Sequence, residues 1–123
     1  MMSFVTAEID SGLATLSREA ADAADFGIVK VDDEGKIELY NKYEAELAGV
    51  TPAAAEGRNF FTEIAPCTNN KLFHGRFKSG VEADELDTEF NYTFTYKLRP
   101  TNVAIRLKRD KESKSNWVFV KKK

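Results

Sequence analysis

TEFNYTFTYKL, residues 88–98, sets Phe90, Tyr92, Phe94, Tyr96 and Leu98 at every second position, with Glu89, Asn91, Thr93, Thr95 and Lys97 between them. An extended chain points successive side chains to opposite faces, so this alternation predicts a strand with one face in a core and one in water. Arg99-Pro100-Thr101-Asn102 turns the chain. Val103, Ile105 and Leu107 alternate in a second strand, residues 111–116 form a polar turn, and WVFVK at 117–121 supplies a third strand.

Upstream of this sheet the period changes. Residues 70–81 read as a helix with Phe73, Phe77 and Val81 on its buried stripe. Two shorter helices precede it. One spans 42–47 and stops at Gly49; the next has Thr51 as N-cap, Pro52 in the first helical position and Gly57 at its end. GIVKV and KIELY flank Asp33-Glu34-Gly35, a hairpin over 26–41. Ile37 and Leu39 alternate there with Lys36, Glu38 and Tyr40. Residues 1–25 read as a helical cap with Ile9, Leu13, Leu16 and Ala20 on one face, started by Asp10 or Ser11, and modestly packed because large apolar residues are few. Strands split by a helical middle imply an antiparallel sheet with helices on one face, an α+β domain, with the natural pocket between the sheet and the short helices.

The 123 residues are 42% apolar and 31% charged, which suits one folded domain over 1–123, a cap at 1–25 and a core at 26–123. The chain shows no apolar run of membrane-spanning length and no signal-peptide pattern at its start, so a cytoplasmic protein without a membrane anchor is expected. One cysteine makes no internal disulfide. The net charge of −2 is unevenly divided: residues 1–66 hold 13 acids and 5 bases, residues 97–123 hold 2 acids and 10 bases. A solvated sheet face with a frayed basic tail is the preferred reading. Nucleic-acid binding ranks below docking on an acidic partner protein, because basic residues alone are a weak signal.

Chemistry concentrates in GRNFFTEIAPCT, residues 57–68. Lone cysteines are mostly small buried hydrophobes. Here Pro66 fixes the backbone before Cys67, and Thr68-Asn69-Asn70 offers a helix N-cap whose positive end favours a thiolate. The segment reads as a rigid loop presenting a reactive thiol to an apolar pocket. His74, the single histidine, is expected on the exposed side of its helix, titrating near 6.5.

Four stretches carry a resemblance: YNKYE at 40–44, the 57–68 segment, FNYTFTY at 90–96 and WVFVK at 117–121. The chain resembles the photoactive yellow protein (xanthopsin) family of PAS-domain blue-light receptors, almost end to end. The resemblance implies a PAS fold: a five-stranded antiparallel sheet, helices on one face and an N-terminal cap. It implies 4-hydroxycinnamic acid (p-coumaric acid) carried as a thioester on Cys67, within the Pro66-Cys67-Thr68 match. Tyr40 and Glu44 would hydrogen-bond its buried phenolate oxygen, with Phe60, Phe94 and Tyr96 around the pocket. A buried anion needs such donors, and a tyrosine hydroxyl and a protonated carboxyl both donate. The resemblance further implies trans-to-cis photoisomerisation, proton transfer from Glu44, and a cap that loosens to signal. Three positions depart from the family pattern. Ala48 stands where many members have a threonine that orients the tyrosine, Val50 where many have a shielding arginine, and Leu98 where a methionine contacts the ring.

A monomer is expected, without a metal, signalling to a downstream protein that the sequence does not name. Taken singly, Tyr40 reads as a half-buried strand residue and Glu44 as a solvated one; only their joint occurrence with the Cys67 loop lifts them. Two rival readings are a PAS module that binds another ligand or only a partner, and a cysteine-nucleophile enzyme. The second needs a base near the sulfur, and His74 lies seven residues on; the chain is read as no enzyme.

Overall fold

The computed structural model describes residues 4–95 and 100–123. In chain order they form α1 (Ala7–Ser11), α2 (Arg18–Asp22), β1 (Gly27–Val31), β2 (Ile37–Tyr40), α3 (Lys42–Ala48), α4 (Pro52–Ala55), α5 (Arg76–Ala83), β3 (Asp87–Phe94), β4 (Thr101–Asp110) and β5 (Ser115–Lys122). The sheet runs β2-β1-β5-β4-β3, antiparallel throughout. This is the α+β arrangement that the strand periods predict. Tyr96 and Leu98 lie outside the described residues.

The two central strands are covered on both faces, which is why GIVKV and WVFV contain so little polar sequence. Val29 and Val31 of β1 and Val118 and Val120 of β5 join the core beneath the helices, with Phe60, Phe73, Phe77, Phe94, Val103, Ile105 and Leu107. The opposite parity, Ile28, Trp117 and Phe119, packs under the N-terminal segment against Val5, Leu13, Ala21 and Phe26. The edge strand β3 keeps Asn91 and Thr93 exposed, as its alternation requires.

The N-terminal cap departs from a single helical face. It breaks into α1, a tight 3₁₀ turn at Leu13–Thr15, and α2. Ser17 restarts the helix by accepting the Ala20 N–H on its hydroxyl at 3.1 Å, and this resets the phase: Ala21 is buried and Ala20 exposed. Neither Asp10 nor Ser11 caps a start. Thr6 precedes α1, and Asp10 instead reaches Arg106 at 3.2 Å and Lys108 at 2.8 Å on β4.

The expected helix over 70–81 also divides. Asn70 caps it through the Phe73 N–H, but the first turn is wide, closing from Gly75 N–H to Asn70 C=O, five residues apart; α5 follows. A second wide turn closes from Ala65 N–H to Phe60 C=O. Widened turns of this kind re-aim side chains. Here they let Phe60, Phe61, Phe73 and Phe77 interlock, with centroids 4.9–6.1 Å apart. His74 is drawn into this cluster, half-buried and stacked on Phe61 at 4.1 Å, not exposed as its spacing predicts. Strand β5 begins at Ser115 rather than Trp117, because Asn116 is held by Arg109 and Asp33 at 2.7 and 2.9 Å.

Among the described residues the basic stretch is solvated only in part: Lys111, Lys114, Lys122 and Lys123 are exposed, but the arginines of β4 are not. Arg106 and Arg109 are nearly buried, at 8% and 6% side-chain exposure. Arg106 pairs with Asp10 and Asp87, Arg109 with Asp33 and Asp84, and Lys121 with Asp25. Part of the charge asymmetry of the sequence is thus an internal complementarity, with Arg106, Lys108, Arg109 and Lys121 meeting Asp10, Asp33 and Asp25 of the N-terminal half.

Candidate functional site

Tyr40 reaches the core through an irregularity in the hairpin. The β1–β2 register shifts between Lys30 and Val31, so Val31 faces Ile37 while Lys30 faces Leu39. An extra residue on one strand reverses the facing beyond it. Leu39 therefore turns to the cap side, and Tyr40 joins Ile37 in the helix-side core, fully buried. The plain alternation in the sequence predicts the reverse.

Asn41 follows, buried, and organises the next turn. Its Oδ1 accepts the Ile28 N–H at 2.9 Å and the Glu44 N–H at 3.1 Å, capping α3. Its Nδ2 donates to the Ala21 and Phe26 carbonyls at 2.7 and 3.0 Å. One side chain thus ties β1, α3 and the cap. Gly49, at φ 72°, ends α3 as its sequence position predicts.

Glu44 lies in the first turn of α3 and is 1% exposed, whereas Glu46 is on the outer side. Its carboxyl packs against Gly27, where any Cβ would collide with Glu44 Oε1 and stand 3.2 Å from Val120 Cβ. Gly27 and Val120 are register partners in the sheet. The missing side chain of Gly27 makes the recess that Glu44 fills. The Tyr40 hydroxyl and Glu44 Oε1 are both sealed from solvent.

The Cys67 loop is held by short polar contacts. The Thr68 hydroxyl donates to the Ala65 carbonyl at 2.6 Å, and the Thr68 N–H bonds the same oxygen. The Cys67 carbonyl accepts from the Tyr92 hydroxyl at 2.5 Å and from Asn70 Nδ2 at 3.1 Å. Cys67 itself is half-buried. It borders the helix-side core and also lines an open cleft of about 750 Å³ with Asn70, Leu72, Tyr92, Thr95 and Asn102.

The structure gathers Tyr40, Ala48, Phe60 and Phe94 into one buried cluster, with Cys67 and Val50 packed at its margin. Thr68 is buried and Pro66 exposed. His74 Nδ1 lies 2.9 Å from Asn69 Oδ1, and partial burial, then Lys78, pushes its pKa below the ordinary 6.5. Sequence reasoning missed Gly27 and Asn41. Asn41 left a signal, a good N-cap residue directly before a helix. Gly27 left none, because its role depends on a side chain 17 residues away.

Among the described residues, no group of His, Cys, Asp and Glu could hold a metal ion, and no helix is long and apolar enough to cross a membrane. The PAS fold family model matches residues 16–121. The chain is 38% identical over 122 residues to photoactive yellow protein of Rhodothalassium salexigens, covering 99% of this chain and 98% of that one. It is 39% identical over 119 residues to photoactive yellow protein of Rhodobacter capsulatus, covering 97% and 95%. The crystal structure of the photoactive yellow protein domain from the sensor histidine kinase Ppr of Rhodospirillum centenum superposes with a TM-score of 0.85 at 38% identity, covering 90% of this chain and 97% of that one.

Proposed function

Because the chain belongs to the photoactive yellow protein family, within the PAS fold, we propose that it is a blue-light photoreceptor domain that holds 4-hydroxycinnamic acid as a thioester on Cys67. The observation that carries this reading is the burial of a tyrosine hydroxyl, Tyr40, and a carboxyl, Glu44, on the inner side of the sheet, with the only thiol of the chain at the margin of the same core. The donor set fits a buried phenolate: a tyrosine hydroxyl and a neutral carboxyl both donate, and the thiol forms the thioester.

When bound, the group supplies a blue-absorbing phenolate and a double bond that light isomerises. The residues of the chain do the rest. Tyr40 and Glu44 would donate to the phenolate oxygen, while Phe60 and Phe94 would exclude water. Glu44 holds its proton in the dark, because ionising a carboxyl at 1% exposure is costly. On illumination Glu44 would pass that proton to the phenolate oxygen it holds and be left as a buried anion. Its helix is capped by Asn41, which also grips the Ala21 and Phe26 carbonyls, so strain at α3 reaches the N-terminal segment directly. That segment rests on the smaller of the two cores and is the part to open first.

We read residues 1–123 as one PAS-type photoreceptor domain that signals to another protein, as a sensor and not an enzyme; His74, the candidate base, is engaged with Phe61 and Asn69. Ala48 and Val50 leave attachment and the phenolate donors in place; with Leu98 they bear on colour and recovery rate. Protein made without activated coumarate is expected to be colourless, to turn yellow with p-coumaric anhydride as one titratable thiol is lost, and to bleach under blue light. Consumption of the thiol without a visible band would refute the proposal.

A further inference from the structure

Strand β2 is at an edge of the sheet, and residues 56–60 seal it. Gly57 N–H bonds the Ile37 carbonyl, Ile37 N–H the Arg58 carbonyl, and Phe60 N–H the Gly35 carbonyl, each at 2.8 Å. At Tyr40 the covering segment has turned away into α4. Asn41 N–H bonds back to Ile28 on β1, so the Tyr40 N–H points outward from the sheet. A side chain takes the place of the missing backbone acceptor: Glu56 Oε2 accepts the Tyr40 N–H at 3.0 Å.

The same carboxylate holds the cap. Arg18, the first residue of α2, places Nη2 2.8 Å from Glu56 Oε1 and 2.7 Å from Oε2. We propose that Glu56 is a positioning residue for Tyr40, and that Arg18–Glu56 is a latch coupling α2 to the phenolate-donor end of β2. The consequence for light sensing rests on the chromophore reading above; the latch itself does not. With Arg18 in place, the carboxylate is fixed by two partners and the end of β2 is held. When α2 leaves, Glu56 keeps only the weaker, neutral partner, and the Tyr40 backbone loosens. The coupling is reciprocal, so displacement of Tyr40 weakens the grip on Arg18. Arg18 is 45% exposed and Glu56 25%, so salt screens the ion pair more than the amide contact.

The test is amide hydrogen exchange followed by NMR on the full chain, without chromophore and again after reconstitution. Glu56→Ala is expected to speed exchange of the Tyr40 amide at least tenfold. Glu56→Gln keeps an acceptor but loses the ion pair, so Tyr40 should loosen measurably yet by no more than about threefold, and Arg18→Ala should loosen it to the same extent. Glu56→Gln and Arg18→Ala should both speed exchange in residues 20–22, and the double variant should do no more than either alone. The charge swap Arg18→Glu with Glu56→Arg should restore protection in α2 but not at Tyr40, because a guanidinium cannot accept. After reconstitution, the dark visible band should move in Glu56→Ala and stay in Glu56→Gln. Unchanged Tyr40 exchange in Glu56→Ala, or additive effects in the double variant, would overturn the proposal. A wild type that takes up no colour would refute the chromophore reading alone, and the exchange data of the colourless protein would still decide the latch.

Discussion

Replacing Asn41 with alanine removes four hydrogen bonds at once, to Ile28, Glu44, Ala21 and Phe26. Loss of the N-cap of α3 costs about 1 kcal/mol. The Ile28 N–H lies on the β2 side of a fully buried strand residue, and losing its acceptor adds about 1–3 kcal/mol. The Ala21 carbonyl keeps the Ala24 N–H at 3.3 Å, so that loss is smaller. Together the substitution should cost about 3 kcal/mol. With a urea dependence of about 1.5 kcal/mol per molar, the unfolding midpoint should fall by about 2 M. Urea titration of the chromophore-free protein, read by the fluorescence of Trp117, measures this. Hydrogen exchange adds a spatial check: residues 18–26 should lose protection more than β4 does. A midpoint within about 0.3 M of the wild type would show that Asn41 does not join these elements energetically.

Other outcomes follow from the same geometry. Glu44→Gln keeps a donor but has no proton to give: the dark band should shift to the red, and the protonated-carboxyl infrared band lost on illumination of the wild type should be missing; a persisting band would assign the donor elsewhere. Gly27→Ala puts a methyl group into the recess of the Glu44 carboxyl, and should destabilise by about 1–3 kcal/mol as an overpacked site and displace the dark band; normal colour and stability would mean that the recess is not needed. The Lys114 ammonium and the Arg109 guanidinium hold Asp84 down to about 2 against an ordinary 3.8. Its contribution to stability is therefore complete above about pH 4 and lost as pH falls toward 2, and Asp84→Asn should flatten the stability profile in that window, read from urea midpoints.

The sheet was legible because β3 and β4 alternate between a buried and a more open face, and because β5, covered on both faces, shows as a short apolar run between polar ends. Cys67 was legible because Pro66 and the Asn-rich cap around it are local. Legibility failed where a long-range contact sets the geometry. The bulge that turns Tyr40 inward depends on pairing with β1. The broken helix after Asn70 depends on how four phenylalanines from two segments interlock, and the same packing draws in His74. The paired state of Arg106 and Arg109 depends on acids up to 96 residues away in the chain, which no window of sequence displays. Glu56 reads as an exposed helix-end acid until the edge of β2 is seen to need an acceptor.

The central claim, covalent attachment at Cys67, is tested most directly by intact-mass measurement of denatured wild type and Cys67→Ser after identical treatment with p-coumaric anhydride. The wild type should gain one coumaroyl group in place of a thiol hydrogen and release it with hydroxylamine, which cleaves thioesters; Cys67→Ser should gain no hydroxylamine-labile group and stay colourless. A yellow Cys67→Ser protein that keeps the group through denaturation would contradict the account.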